Sequence, residues 1–287
     1  MKKSKYLLML IIAMTLYGTI GVFRRYIPIS SAQLAFFRGI IGSITLYIWI
    51  KANKKSFSKI SKSNLILLIL SGALMGFNWM LLFEAYNYTS VATATLCYYM
   101  EPVMLIIFSY FLFKENISYK QIICILIALI GMVFVSGILD TSIQINDSKG
   151  ILYGLLAAFL YTCVVLMNKK INNIDTYEKT ILQLLSASIS LVPYILINET
   201  ITISSIDLLS LSMILIVGIV HTGIAYALYF GAIPYLNSTS LALFSYIDPV
   251  VAILLSITLL NESISLLGII GAILILGSTI VSEFSKK

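Results

Sequence analysis

The sequence predicts an all-α integral membrane protein: ten transmembrane helices arranged as two inverted five-helix repeats. Composition is the first reason. Of 287 residues, 60% are hydrophobic and only 11% are charged, against about 25% charged in a soluble domain. With a mean hydropathy of +1.00, the apolar surplus is too large for one core, so the solvent has to be lipid. The second reason is a set of apolar runs, each close to the ~20 residues that cross a bilayer as helix. The third is an internal repeat, which decides the fold question before local structure does. Residues 71–118 align without a gap on residues 218–265 at a constant offset of 147. Gly76 falls on Gly223, Phe83 on Phe230, Ala85 on Ala232, Tyr88 on Tyr235, Tyr99 on Tyr246, Glu101-Pro102-Val103 on Asp248-Pro249-Val250, and Glu115 on Glu262.

The ten spans are 5–26, 32–50, 64–86, 91–113, 119–139, 150–168, 176–197, 208–230, 238–260 and 264–282. Their apolar runs are continuous rather than alternating, which favours helices over membrane strands. The first starts with lysines like a signal peptide. It runs on to Phe23, ends in Arg24-Arg25 and shows no small-x-small cleavage site there, so a retained helix is expected. The joints at 87–90 and 261–263 are very short, which makes sequential helices antiparallel neighbours. The longest polar connection is 51–64, and no separate soluble domain is expected.

Lysine and arginine set the orientation. With the N-terminus inside, fifteen of the 19 basic residues fall in inner segments and three (Arg24, Arg25 and Lys149) in outer ones; Arg38 lies within a span. Both termini are therefore expected in the cytoplasm. Five spans per repeat is an odd number, so the second repeat enters from the opposite side. The loop after the fourth span carries Lys114 and faces inward; its counterpart carries Asn261 and faces outward. The first spans also match, Leu16-Tyr17 with Leu160-Tyr161, at an offset of 144. The expected domains are residues 5–139 and 150–282, two five-helix repeats with a site near the midplane between them.

Several function classes drop out. The net charge of +7 comes from residues at span ends, not from a folded basic patch, so no nucleic-acid partner is expected. Cys97, Cys124 and Cys163 lie inside apolar spans with neither metal nor disulfide spacing and read as small apolar fillers. There is no P-loop, no HExxH and no Ser/His pair, so neither a nucleotide, a cofactor nor a metal is expected, nor an enzyme.

Candidate site residues are the polar groups that lipid should exclude. Glu101 and Asp248 each lie near the centre of a span, where an ionised carboxylate costs at least ~2.5 kcal/mol. Each precedes a proline that cannot donate to the carbonyl four residues back, Tyr98 or Ser245, leaving it for water, substrate or cation. Such a carboxyl can bind a substrate amine or take up a coupling proton; the alternative is fixed inter-helix glue. Arg38 can grip a substrate carboxylate or neutralise Glu84 or Glu101; alternatively it snorkels outward or pairs with Glu84. Its repeat counterpart is Gln183. His221 is a candidate proton relay, with a satisfied packing histidine as the alternative. Trp79, Tyr98, Tyr226 and Tyr229 can line a pocket for an organic cation or aromatic solute or can simply pack. Tyr99 and Tyr246 stand out as the same residue at the same repeat position. Glycine pairs 39/42, 72/76 and 268/271 permit close helix contact.

At this point the chain resembles the drug/metabolite transporter superfamily, specifically the EamA-type ten-helix permeases. The resemblance covers the whole length and is strongest from His221 to Ser282: the Thr-Gly-x-x-Tyr start, Pro-Val in mid-helix, the following Asn-Glu and a Gly-rich last helix. The first half repeats these marks, with Arg38 at the place of a second-helix arginine. The resemblance implies a plasma-membrane secondary transporter that moves a small organic solute, such as an amino acid, amine or related metabolite, by alternating access. Export and proton coupling through Asp248 or Glu101 are the expected mode, with a channel-like pore or an intramembrane enzyme as the alternatives. The expected partners are the solute, the coupling proton and the bilayer; the sequence assigns no oligomeric state.

Overall fold

The computed structural model describes residues 2–53, 60–114, 118–135, 145–168, 170–171, 174–199, 207–236 and 244–284. The end of the fifth span (136–139), Glu115 and its 115–117 loop, the start of the ninth span (238–243), and Lys54, Lys55, Lys59, Lys169, Lys286 and Lys287 lie outside the described residues. The rest is helical: α1 (Lys2–Arg25), α2 (Ser31–Ala52), α3 (Lys62–Tyr88), α4 (Val91–Tyr98), α5 (Glu101–Phe113), α6 (Tyr119–Val135), α7 (Ile145–Asn168), α8 (Thr176–Asn198), α9 (Leu208–Ile216), a π-helical segment (Val217–Ile224), α10 (Ala225–Ala232), a 3₁₀ turn (Ile233–Tyr235), α11 (Ile247–Thr258) and α12 (Leu266–Phe284). No strand occurs among the described residues. Seven helical stretches are long and apolar enough to cross a membrane, with α4–α5 counted as one; three shorter apolar helices are Tyr119–Val135, Ile247–Thr258 and Leu266–Ser278.

Local chemistry explains where helices start, and it repeats. The Ser30 side chain caps α2 by accepting from the Gln33 amide, and Asp175 caps α8 by accepting from the Tyr177 amide. Ser61 caps α3 through the Asn64 amide, and Asp207 caps α9 through the Ser210 amide. These are paired repeat positions, each supplying an oxygen to an orphan first-turn donor. Hydrogen bonds from Ser210 hold the Asp207 carboxyl below the usual carboxylate range. The helix ends repeat as well. Lys114 (φ 54°) and Asn261 (φ 53°), matched by the 147-residue offset, are the only non-glycine residues in the left-handed region among those described. Asparagine tolerates that region; lysine adopts it rarely.

Helix pairing follows the repeat. α1–α6 form the first half and α7–α12 the second. α2 packs on α8 and α6 on α12, each helix against its own counterpart, and α4 packs on α11 and α7 across the halves. Other cross-half contacts come in exchanged pairs: α3 with α7 and α1 with α10, α3 with α8 and α2 with the π segment, α5 with α7 and α1 with α11. A pattern that maps onto itself when the halves are swapped is an isologous interface. Its core is the seam between the halves, where Leu34, Leu46, Phe83, Leu184 and Leu191 are fully buried. Close approach matters most on α3. A Cβ on Gly72 would lie 2.6 Å from the Gln183 carbonyl, and one on Gly76 2.5 Å from the Ala187 carbonyl. Large apolar side chains on the outside, such as Ile48, Leu126, Leu196 and Ile273, are more than half exposed, as expected of a lipid-facing surface.

Candidate functional site

The fourth and ninth spans are each interrupted by a short turn just before the carboxylate. α4 stops at Tyr98, Tyr99 and Met100 form a turn, and α5 restarts at Glu101; in the second half Tyr246 is the turn and α11 restarts at Ile247. The prolines now sit in the first turn of the restarted helices. A missing N–H costs nothing there, because first-turn donors have no intrahelical partner. Glu101 and Asp248 fall in those same first turns, where the helix dipole favours negative charge. The Ser245 carbonyl, which Pro249 cannot serve, accepts a hydrogen bond from the Tyr99 hydroxyl at 3.5 Å. That hydroxyl also faces the Asp248 carboxyl. The Tyr99 and Tyr246 rings meet at 6.5 Å, so the break in one half touches the break in the other.

Arg38 is buried (4% exposed) on α2. Its guanidinium lies 4.1 Å from the Trp79 ring centroid and 5.5 Å from that of Phe83, and its Nε donates to Thr222 Oγ1 at 3.1 Å. It pairs with no carboxylate among the described residues. Glu84 instead accepts from Ser31 (2.6 Å) and Asn87 (3.1 Å), and Arg24 donates to Ser31. Pairing of Arg38 with Glu84 is thus not what the structure shows. Gln183, its repeat counterpart, is engaged elsewhere, donating to Ser71 and Asn168. The two halves are chemically unequal at this position.

The π-helical segment places two more groups. In π geometry the backbone accepts from five residues on. Thr222 Oγ1 donates to the Val217 carbonyl at 3.0 Å while accepting from Arg38. His221, 1% exposed, bonds Thr19 through Nε2 at 2.7 Å and approaches the Ile216 carbonyl through Nδ1 at 3.4 Å. Both ring nitrogens have partners, and Phe23 packs edge-on at 4.7 Å. His221 therefore stands at the α1 contact, within electrostatic range of Arg38.

Tyrosines fill the space between Arg38 and the carboxyls. Tyr17 packs on Tyr226 at 5.6 Å and Tyr229 at 6.3 Å; Tyr98 packs on Tyr161 at 5.8 Å and Tyr99 at 6.3 Å. Tyr98 lies within electrostatic range of both Arg38 and Glu101, and Tyr161 within range of both Glu101 and Asp248. Tyr17 on Tyr226 and Tyr229, and Tyr98 on Tyr161, are contacts between the halves, so this tyrosine cluster lies at their seam. Polar atoms without partners are part of it: Tyr17 Oη and Asn78 Oδ1 are buried with no hydrogen bond, although Asn78 Nδ2 is held by the Ala157 carbonyl at 2.6 Å. Unpaired buried polar atoms are uncommon in folded proteins. No group of three or more metal-ligating side chains occurs among the described residues.

Of the residues singled out in the sequence, Asp248, Glu101, Arg38, Tyr99, Tyr246, Trp79 and Tyr226 cluster around this centre, and His221 lies on its α1 side within range of Arg38. Tyr17, Tyr161, Asn78 and Thr222 were missed. For Tyr17 and Tyr161 a signal was present, since they are the same residue at one repeat position of the first spans, the criterion that selected Tyr99 and Tyr246. Thr222 had none, because its position depends on the π turn.

Comparison with known proteins places the chain. The EamA-like transporter family matches residues 4–137 and 148–283. An uncharacterized transporter, YxxF, of Bacillus subtilis is 30% identical over 88% of this chain and 81% of its own length. The S-adenosylmethionine uptake transporter of Rickettsia prowazekii is 24% identical over 90% of this chain and 84% of its own. A probable amino-acid metabolite efflux pump of Salmonella typhimurium is 25% identical over 62% of each chain. Two matched segments in tandem, covering both halves of a multi-pass helical membrane protein, make this chain a member of the EamA-like transporter family.

Proposed function

We propose that the chain is a secondary active carrier with ten membrane-spanning helices in two inverted repeats, 5–139 and 150–282. It moves a small organic solute across the plasma membrane by alternating access, with both termini in the cytoplasm. The observation that carries this reading is the juxtaposition of Arg38, which has no carboxylate partner, with Glu101 and Asp248 around one tyrosine-lined space at the seam of the halves. An anionic group on the solute pairs with Arg38, whose guanidinium carbon lies over the Trp79 ring at 4.1 Å and whose Nε is held by Thr222. A cationic group on the solute pairs with Glu101 or Asp248, and its apolar body lies on the tyrosine faces. An amino acid, an amine or a related metabolite fits that pattern. Asp248 and Glu101 also serve as the coupling groups, one proton exchanging for one solute as the halves rock. Export is the direction favoured by the efflux relative, the uptake relative being its mirror.

Proteoliposomes preloaded with unlabelled solute provide the test. A carrier accelerates entry of labelled solute against its gradient by counterflow; a channel does not. Transport by Asp248→Asn with Glu101→Gln that kept its dependence on a proton gradient would sink the coupling role.

A further inference from the structure

One end of the bundle is closed by a carboxylate that belongs to one half and grips the other. Glu262, in the joint between α11 and α12, forms an ion pair with Arg25, the last residue of α1, at 2.5 Å. Its second oxygen accepts from the backbone amide of Val91, the first residue of α4, at 2.8 Å, and from the Ser256 hydroxyl on α11. Arg25 in turn donates to the Thr89 carbonyl in the α3–α4 joint at 3.3 Å. A residue of the second half thus satisfies one of the orphan donors at the start of a helix in the first half and neutralises a cation at the end of another. Thr89 itself is wedged across the seam: a Cβ on Gly150 would meet its side chain at 2.6 Å. At the same end Ser30, of the first half, bonds Glu199, of the second.

The same three helices continue to the central site. Gly18 of α1 packs on the Asp248 carbonyl and Val251 of α11, and a Cβ there would come within 2.5 Å of that carbonyl. α4 runs from Val91 directly to the break at Tyr99. Gly18 and Arg25 are about two helical turns apart, as are Asp248 and Ser256, roughly 10–12 Å at 1.5 Å per residue. Among the described residues at the opposite end, the halves meet through the stacked rings of Tyr6 and Tyr235 at 3.9 Å; Glu115 and Lys169, the repeat counterparts of Glu262 and Arg25, lie outside the described residues.

We infer that Glu262 and Arg25 are the gate at this end: the pair holds the two halves together over the site and releases when the site opens there. The inference rests on the alternating-access reading above. The chemistry suits repeated opening. The Arg25 side chain is 36% exposed and that of Glu262 14%, so water already reaches the cation and solvates it when the pair parts, which lowers the cost of opening.

The test needs no solute and no assumption about which face is outside. Thr89→Cys is placed in the full chain, reconstituted in nanodiscs that leave both faces open, and its reaction with a water-soluble maleimide is timed; the parent chain gives the background from the native cysteines. With the pair intact, labelling is slow. Glu262→Gln is expected to speed it at least tenfold. Ser256→Ala, which removes one donor and keeps both charges, gives a smaller rise, and Arg25→Lys, which keeps the charge, stays near the slow rate. Glu262→Gln that unfolds at the parental temperature and labels at the parental rate makes the pair a static staple and overturns the inference. If Glu262→Gln fails to fold, Ser256→Ala labelling at the parental rate does the same. Fast labelling in a protein that carries no solute would uphold the gate and remove the transport reading instead.

Discussion

At the residue scale, Arg38 is the position with the most to lose. Its Nε is committed to Thr222 and its face to Trp79, leaving the outer nitrogens for a solute. A hydrogen bond to a charged group contributes about 1.5–3 kcal/mol, so Arg38→Gln should weaken solute binding roughly ten- to hundredfold. Arg38→Lys keeps the charge but loses the fork and the stacking, and should fall between the two. The concentration dependence of transport in proteoliposomes checks both. Asn78→Leu should behave differently. It loses the bond to Ala157, a cost of about 0.6–1.7 kcal/mol for an inter-helix hydrogen bond in a membrane, and should show mainly as a lower unfolding temperature. The charged members of the site were legible because lipid makes them expensive: a carboxylate or an arginine in an apolar span stands out without any structure. Tyrosines are cheap in a membrane protein, so their pattern was legible only where the repeat doubled it.

At the element scale, the two helix breaks and the π segment do the positioning. The prolines were readable, and so was the freed Ser245 carbonyl; that a turn interrupts the helix there was not, because it depends on Tyr99 reaching across from the other half to that carbonyl. Pro249→Ala restores a donor and lets a continuous helix compete for the same oxygen. We expect it to leave the unfolding temperature unchanged or higher and to slow transport several-fold, measured as initial rate in proteoliposomes. Gly76→Val should do the reverse. A Cβ at that position overlaps the Ala187 backbone, and overpacking of this kind costs about 1–3 kcal/mol, visible as earlier thermal unfolding whether or not solute is present. The π segment left no mark in the sequence. Its wider turn is set by how Thr222 and His221 bond their own backbone and their neighbours on α1 and α2, which is tertiary information.

At the scale of the whole molecule, the repeat is what made the fold readable. One offset pairs the carboxylates, the tyrosines at the breaks and the two left-handed residues at the helix ends, and closely similar offsets pair the capping side chains; the helix contacts then exchange under the same pairing. The proposed inverted arrangement makes a direct prediction. Lys114→Cys and Asn261→Cys, at equivalent repeat positions, should react with an impermeant thiol reagent from opposite faces of the membrane, Lys114→Cys from the cytoplasmic side. Reaction from the same face would mean a parallel repeat.

The central claim is that the seam of the two halves holds a solute-binding site built on Asp248 and Arg38. Currents recorded from proteoliposomes on a solid-supported membrane, while amino acids, amines and quaternary cations are washed in by turn, test it most directly. The account predicts a saturable response to one of these classes that disappears in Asp248→Asn and weakens in Arg38→Gln, with both variants folded. A saturable response that survives unchanged in both variants would place the site elsewhere and contradict the account.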